Sequence, residues 1–166
     1  MNREKKIYQV AMPHFSKSDS EWIKSKVDNI LFNRLSTGPY VAEFEKIFSD
    51  FIGTKYAVAL NSCTSALEIS INFLNLQEDD EVIVPVQTFV ATGTAVTSQN
   101  AKIVFAEINE NTFCIDLQEI KSKVTSKTKA IMLVHFAGYM PHDVLEIKKY
   151  CQEKEIFLIE DCAHAI

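Results

Sequence analysis

Residues 156–166, IFLIEDCAHAI, set four consecutive apolar residues directly before two carboxylates, Glu160 and Asp161. An unbroken apolar run of this length, bounded by charge, reads as a strand buried on both faces, as in a parallel sheet. Open parallel sheets bind ligands beyond the carboxyl ends of their strands, so Asp161 and His164 fall where a site is expected. A carboxylate buried there needs a cationic partner or good hydrogen-bond donors.

Upstream, the chain alternates. Apolar strand patterns occupy 56–60, 81–84, 102–106 and 129–134, and helical patterns fill 64–75, 88–98, 116–124 and 142–154. This spacing predicts βαβ units, hence an α/β fold with a mostly parallel sheet and helices on both faces. Two amphipathic helices lie outside the alternation. The first takes Ser18 or Asp19 as its cap and runs to about Asn33, with Trp22, Ile23, Val27, Ile30 and Leu31 at helical spacing. The second covers 40–52 and ends on Gly53. Residues 1–17 read as an extended arm. The expected organisation is 1–53 as an arm with two helices and 54–166 as part of a larger α/β domain.

Composition narrows the function. The 166 residues are 47% hydrophobic and 23% charged, ordinary globular values. A net charge of −5 and a pI near 5.4 argue against a nucleic-acid partner, which calls for a basic face. Lys121, Lys123, Lys127 and Lys129 cluster, but beside Glu119 they read as a solvated helix end. No apolar stretch is long enough for a membrane span, and the N-terminus carries no signal-peptide pattern, so the expected location is the cytoplasm. Cys63, Cys114, Cys151 and Cys162 show no metal spacing and read as reduced thiols; all but Cys63 are expected to be packing residues.

The polar residues at the strand ends belong together: Asn61 to Ser65, Pro85 to Phe89, Glu107, His135 and Asp161. Each has a plain structural reading. Ser62 and Thr64 suit a helix cap, Phe89 a core position and His135 a satisfied core histidine. Jointly they suggest a site. A strand turning through small hydroxyl residues into a helix offers unpaired N–H groups and a positive dipole end to a phosphate. The P-loop, the dinucleotide glycine fingerprint and the hydrolase elbow are all absent. A phosphate seat, an aromatic platform at Phe89 and a carboxylate at Asp161 together fit pyridoxal 5'-phosphate (PLP). There Asp161 keeps the pyridine nitrogen protonated, and His164 is close enough in sequence to approach the phenolic oxygen.

The motifs TGPYVAEFEKIFSDFIGTKYAVALNSCTSAL, DDEVIVPVQTFVAT, INENTFCIDLQEIKSKVTSKTKAIMLVHFAG and IEDCAHA follow one another in order. Together they resemble the DegT/DnrJ/StrS family of PLP-dependent sugar aminotransferases, over nearly the whole chain. The resemblance implies an incomplete large domain of a fold-type I transferase, without the C-terminal small domain. It implies that Thr64 and Ser65 hold the cofactor phosphate, Phe89 stacks on the ring, Asp161 meets the pyridine nitrogen and His164 lies near the phenolic oxygen. It places the Thr37-Gly38 loop near an active site, in the manner of homodimers with shared sites. The reaction implied is amino transfer from an amino acid, usually glutamate, to a nucleotide-linked keto sugar, in polysaccharide or antibiotic sugar biosynthesis.

Three departures from the family pattern stand out. Cys63 replaces the glycine of S-G-T, a strained exchange if a left-handed backbone is required there. Asp79 replaces the glycine of G-D-E. The catalytic Schiff-base lysine, which follows a Ser downstream of E-D-x-A in the family, matches none of the 15 lysines present. The expectation is therefore an N-terminal fragment, inactive alone. The alternatives are a non-catalytic binding or regulatory relative and an unrelated doubly wound nucleotide-binding domain.

Overall fold

A computed structural model describes residues 14–32 and 37–165 of the chain. It divides into two compact units, Met1–Ala59 and Leu60–Ile166. The expected arm at 1–13 and the end of the first helix at Asn33 lie outside the described residues.

The first unit holds α1 (Lys17–Leu31) and α2 (Pro39–Ile52). Ser16, not Ser18 or Asp19, caps α1. Its hydroxyl accepts from the Asp19 N–H at 3.1 Å, and the Asp19 carboxylate accepts from the Ser16 N–H at 2.8 Å. This reciprocal capping box satisfies two groups the helix end would leave unpaired. α2 starts on Pro39, whose fixed φ suits a first helical position, and stops at Gly53, whose φ of 78° closes it. The apolar faces form as their spacing predicts, yet neither helix buries a residue fully; Trp22 is 61% exposed and Phe51 73%.

The strand expected at 56–60 is absent. The segment lies outside any ladder, with Tyr56 and Val58 each 75% exposed. The Ala59 N–H instead donates to Glu45 Oε1 at 2.9 Å. An apolar run makes a strand only when another strand accepts its backbone groups, and no described strand pairs with it.

In the second unit, α3 (Cys63–Phe73) leads into β1 (Glu81–Pro85), α4 (Val90–Thr97), β2 (Lys102–Ala106), α5 (Leu117–Lys123), β3 (Thr128–Val134), α6 (Val144–Glu153) and β4 (Phe157–Asp161). The four strands are parallel in the order β2-β1-β3-β4. Successive side chains point to opposite faces, and the two central strands show it. Val82, Val84, Ala130 and Met132 pack in one core with residues of α3 and α4, while Ile83, Ile131 and Leu133 pack in a second core with residues of α5 and α6. Each of these seven is fully buried. Helices therefore cover both faces, as the sequence pattern requires.

β4 departs from expectation. The sequence pattern predicts burial on both faces, but among the described residues β4 is an edge strand paired only with β3, and Phe157 is 54% exposed. The apolar run that suggested deep burial is half covered because it has a single neighbour. Cys114 and Cys151 are buried as expected, but Cys162 is exposed and is not a packing residue. The lysine cluster is solvated and paired locally: Lys123 with Glu119, Lys127 with Asp79 and Lys129 with Asp80. Between β1 and β3 the strand order reverses direction, and the crevice beyond such a reversal is where ligands bind in open α/β sheets.

Candidate functional site

Asp161 is the last residue of β4 and 5% exposed. In β4 the pleat sends Ile159 toward the α3/α4 core and Leu158 toward the α5/α6 core. Asp161, two residues beyond Ile159, points to the α3/α4 side, and its hydrogen bonds show it. Oδ2 accepts from Thr92 Oγ1 in α4 at 3.0 Å. Oδ1 accepts from the Ala163 N–H at 3.2 Å and from the thiol of Cys63, the first residue of α3, at 3.5 Å. One carboxylate thus ties together the first turns of two helices and the turn after its own strand.

Those two first turns carry the other predicted residues. At α3, Ser62 is the N-cap, its hydroxyl accepting from the Ser65 N–H at 3.2 Å. The Ser65 hydroxyl lies 3.2 Å from that of Ser62. The N–H groups of Cys63 and Thr64 and the Thr64 hydroxyl find no acceptor among the described residues. That helix end is set up to receive an anion. At α4, Phe89 is the N-cap residue, three positions before Thr92, and is 71% exposed. The strain foreseen at Cys63 does not arise, since Cys63 is helical and is not among the residues of positive φ.

His164 stands in the turn beyond Asp161, exposed at its outer edge. Its Nδ1 accepts from the Ala137 N–H at 3.1 Å, and its ring meets Phe136 edge-on at 5.9 Å. With Nδ1 engaged as acceptor, the neutral ring carries its proton on Nε2 and presents a donor. The 136–138 turn makes this approach through two left-handed residues, Ala137 (φ 53°) and Gly138 (φ 82°). A Cβ on Gly138 would stand 3.3 Å from the His164 carbonyl.

Two strand-end residues leave the set. His135 is buried, but its Nε2 meets Glu160 Oε2 at 2.9 Å, and by the pleat both belong to the α5/α6 side of the sheet. Its plain reading as a satisfied histidine describes it. Glu107 gives its N–H to Glu119 Oε1 at 3.0 Å and has no recorded tie to Asp161. Sequence reasoning missed Thr92, fully buried and bonded to both Asp161 and Thr88 (Oγ1 to Oγ1, 2.7 Å). The Thr88/Thr92 spacing of four at a helix start was the available signal.

A parallel α/β sheet that carries an open helix end, an exposed aromatic residue and a buried carboxylate beyond the carboxyl ends of its strands offers a seat suited to a phosphate-bearing cofactor. The chain belongs to the DegT/DnrJ/EryC1/StrS aminotransferase family, whose profile matches residues 17–166. Among its relatives, the spore coat polysaccharide biosynthesis protein SpsC of Bacillus subtilis is 40% identical over 88% of the chain and 37% of SpsC. GDP-perosamine synthase of Vibrio cholerae is 35% identical over 89% of the chain and 37% of that enzyme. Among solved structures, NtdA of Bacillus subtilis with bound cofactor PMP superposes with a TM-score of 0.82 at 30% identity, over 98% of this chain and 39% of NtdA. GDP-4-keto-6-deoxy-D-mannose-3-dehydratase of E. coli with bound hydrated PLP gives 0.80 at 31%, over 93% and 40%. The chain spans about two fifths of the length of each.

Proposed function

We propose that this chain is the cofactor-binding segment of a PLP-dependent aminotransferase that passes an amino group, with glutamate as donor, to a nucleotide-linked keto sugar. The observation that carries the reading is the buried Asp161 carboxylate, joined at once to the first turns of α3 and α4. The donor set fits the cofactor. The open N–H groups of Cys63 and Thr64 with the Thr64 and Ser65 hydroxyls would receive the phosphate, though Ser65 shares its hydroxyl with Ser62. Phe89 offers an exposed ring face. Asp161 would hold the proton on the pyridine nitrogen, since a near anion favours the cationic form. His164 would present its Nε2 donor toward the phenolic oxygen. PLP, when bound, supplies the electron sink that stabilises negative charge at the reacting carbon.

The relatives named as GDP-perosamine synthase and as a polysaccharide biosynthesis protein support a sugar-nucleotide substrate. The structures holding PMP and PLP support the cofactor. Because the chain spans about two fifths of these relatives, the reading assigns the Schiff-base lysine and the small domain to the rest of such a protein. It includes the homodimer and the cytoplasmic location. No helix among the described residues is long and apolar enough to cross a membrane.

Two measurements test this. The full gene product, supplied with glutamate, PLP and a GDP-4-keto sugar, should form an amino sugar detectable by mass spectrometry; no transfer to any nucleotide-linked keto sugar would refute the activity. The 166 residues alone, incubated with PLP and borohydride, should retain no fixed cofactor. A cofactor fixed specifically to one of the 15 lysines would overturn the assignment of the covalent lysine elsewhere.

A further inference from the structure

Thr92 is fully buried, and its hydroxyl faces two oxygens, Asp161 Oδ2 at 3.0 Å and Thr88 Oγ1 at 2.7 Å. An ionised carboxylate only accepts, so the Thr92 proton goes to Asp161 and the lone pair of Thr92 is left for the proton of Thr88. The hydrogens therefore run one way, Thr88 to Thr92 to Asp161, from the carboxyl end of β1 into the sheet edge at β4. Each donated bond polarises the next. On the other side Oδ1 is held by the Ala163 N–H and the Cys63 thiol. Burial above all, and then the charge of Asp161, push the Cys63 thiol above its ordinary value, which keeps it a donor at neutral pH. The carboxylate is thus gripped at both oxygens.

Resting on the PLP reading of this cleft, we infer that Thr92 is the positioning residue of Asp161: its hydroxyl, backed by Thr88, fixes the plane in which Asp161 meets the ring nitrogen of the cofactor. Thr92 is buried behind Asp161 and acts through it. Without the hydroxyl, Oδ2 loses its only donor among the described residues, and the carboxylate can rotate about the two remaining bonds to Oδ1.

The test uses the full gene product and two probes, PLP and its 1-deaza analogue, which lacks the ring nitrogen. Dissociation constants are measured by equilibrium dialysis. Thr92→Val keeps the shape and removes the donor. It should weaken PLP about tenfold, the scale of one hydrogen bond to a charged group. Binding of the deaza analogue should change less than about twofold, because that probe makes no bond to Asp161. Thr92→Ser should restore PLP binding. Equal weakening of both probes, unchanged PLP binding in Thr92→Val, or failure of Thr92→Ser to rescue would each overturn the assignment. If Thr92→Val does not fold, Thr88→Val decides instead, with a smaller loss expected for PLP alone; no loss, or an equal loss for both probes, would refute it. A parent protein that binds PLP and the deaza analogue equally well would instead overturn the pairing of Asp161 with the ring nitrogen, and this inference with it.

Discussion

Glu160 and Asp161 are neighbours in sequence and occupy opposite sides of the sheet. Asp161 is 5% exposed on the α3/α4 side, where three donors reach it and the first turn of α3 stands open to an anion. Glu160 is exposed on the other side, and its one recorded side-chain bond goes to the buried His135. The pleat makes the difference. The same functional group, a carboxylate, one position apart, faces the helix ends in one case and closes off a histidine in the other. Position in the ladder assigns the chemistry, and charge alone does not.

The strongest way to break this contrast is Asp161→Ala in the full gene product. Removing a buried charged partner costs several kcal/mol, so PLP affinity and amino transfer should fall by about 100-fold or more while the fold survives. Near-normal turnover in that variant would sink the assignment. Glu160→Ala should behave in the opposite manner. It strands the buried His135 and should cost about 1–3 kcal/mol of stability in urea unfolding, with PLP affinity changed by no more than about twofold. A cofactor defect rivalling that of Asp161→Ala would erase the distinction between the two sides.

The thiols sharpen the comparison. Cys151, in the α5/α6 core, is pushed by burial from 9.0 to about 11. Its proton is kept in the folded state after the unfolded chain has lost it. Stability should therefore be unaffected below about pH 9 and fall as pH rises toward 11, by at most about 2–3 kcal/mol, before levelling off. Denaturant titrations at pH 8 and pH 11 would show the drop, and its persistence in Cys151→Ala would clear Cys151 of the cause. On the other side, Cys63→Ser keeps a donor beside Asp161 and should change PLP affinity by less than about threefold. Loss of binding in that variant would show that the sulfur does more than donate.

Much of this was legible beforehand. β2 matches its predicted bounds, and the other three observed strands shift at their ends by at most two residues, because buried runs such as KAIMLV allow few alternatives. Gly53 and Asp116 cap as read. The failures share a cause. Whether YAVAL is a strand depends on a partner that its own pattern does not contain, and β4 looked deeply buried because an apolar run does not reveal how many neighbours it has. The S-x-x-D spacing at Ser16 was a readable capping box that the apolar periodicity of α1 overshadowed. In the site, Asp161 stood out as a carboxylate at a strand end. Thr92 did not, because inside VATGTAVT a buried threonine looks like any small helix residue, and its spacing of four from Thr88 was the one mark on it. The side taken by Glu160 could have been counted from the alternation of residues 157 to 161, and that of His135 from the alternation of residues 130 to 134.

The same alternation sets what kinds of genetic change β4 can absorb. Swapping one apolar residue for another at Leu158 or Ile159 alters packing and leaves the parity of the strand intact. Deleting a single codon between Phe157 and Ile159 would bring Glu160 into the register of Ile159 and Asp161 into that of Glu160, turning Asp161 toward His135 and away from Thr92. Losing two codons would restore the parity at the cost of a shorter strand. For this segment reading phase is counted in pairs of residues, so one missing residue does more harm to the site than two.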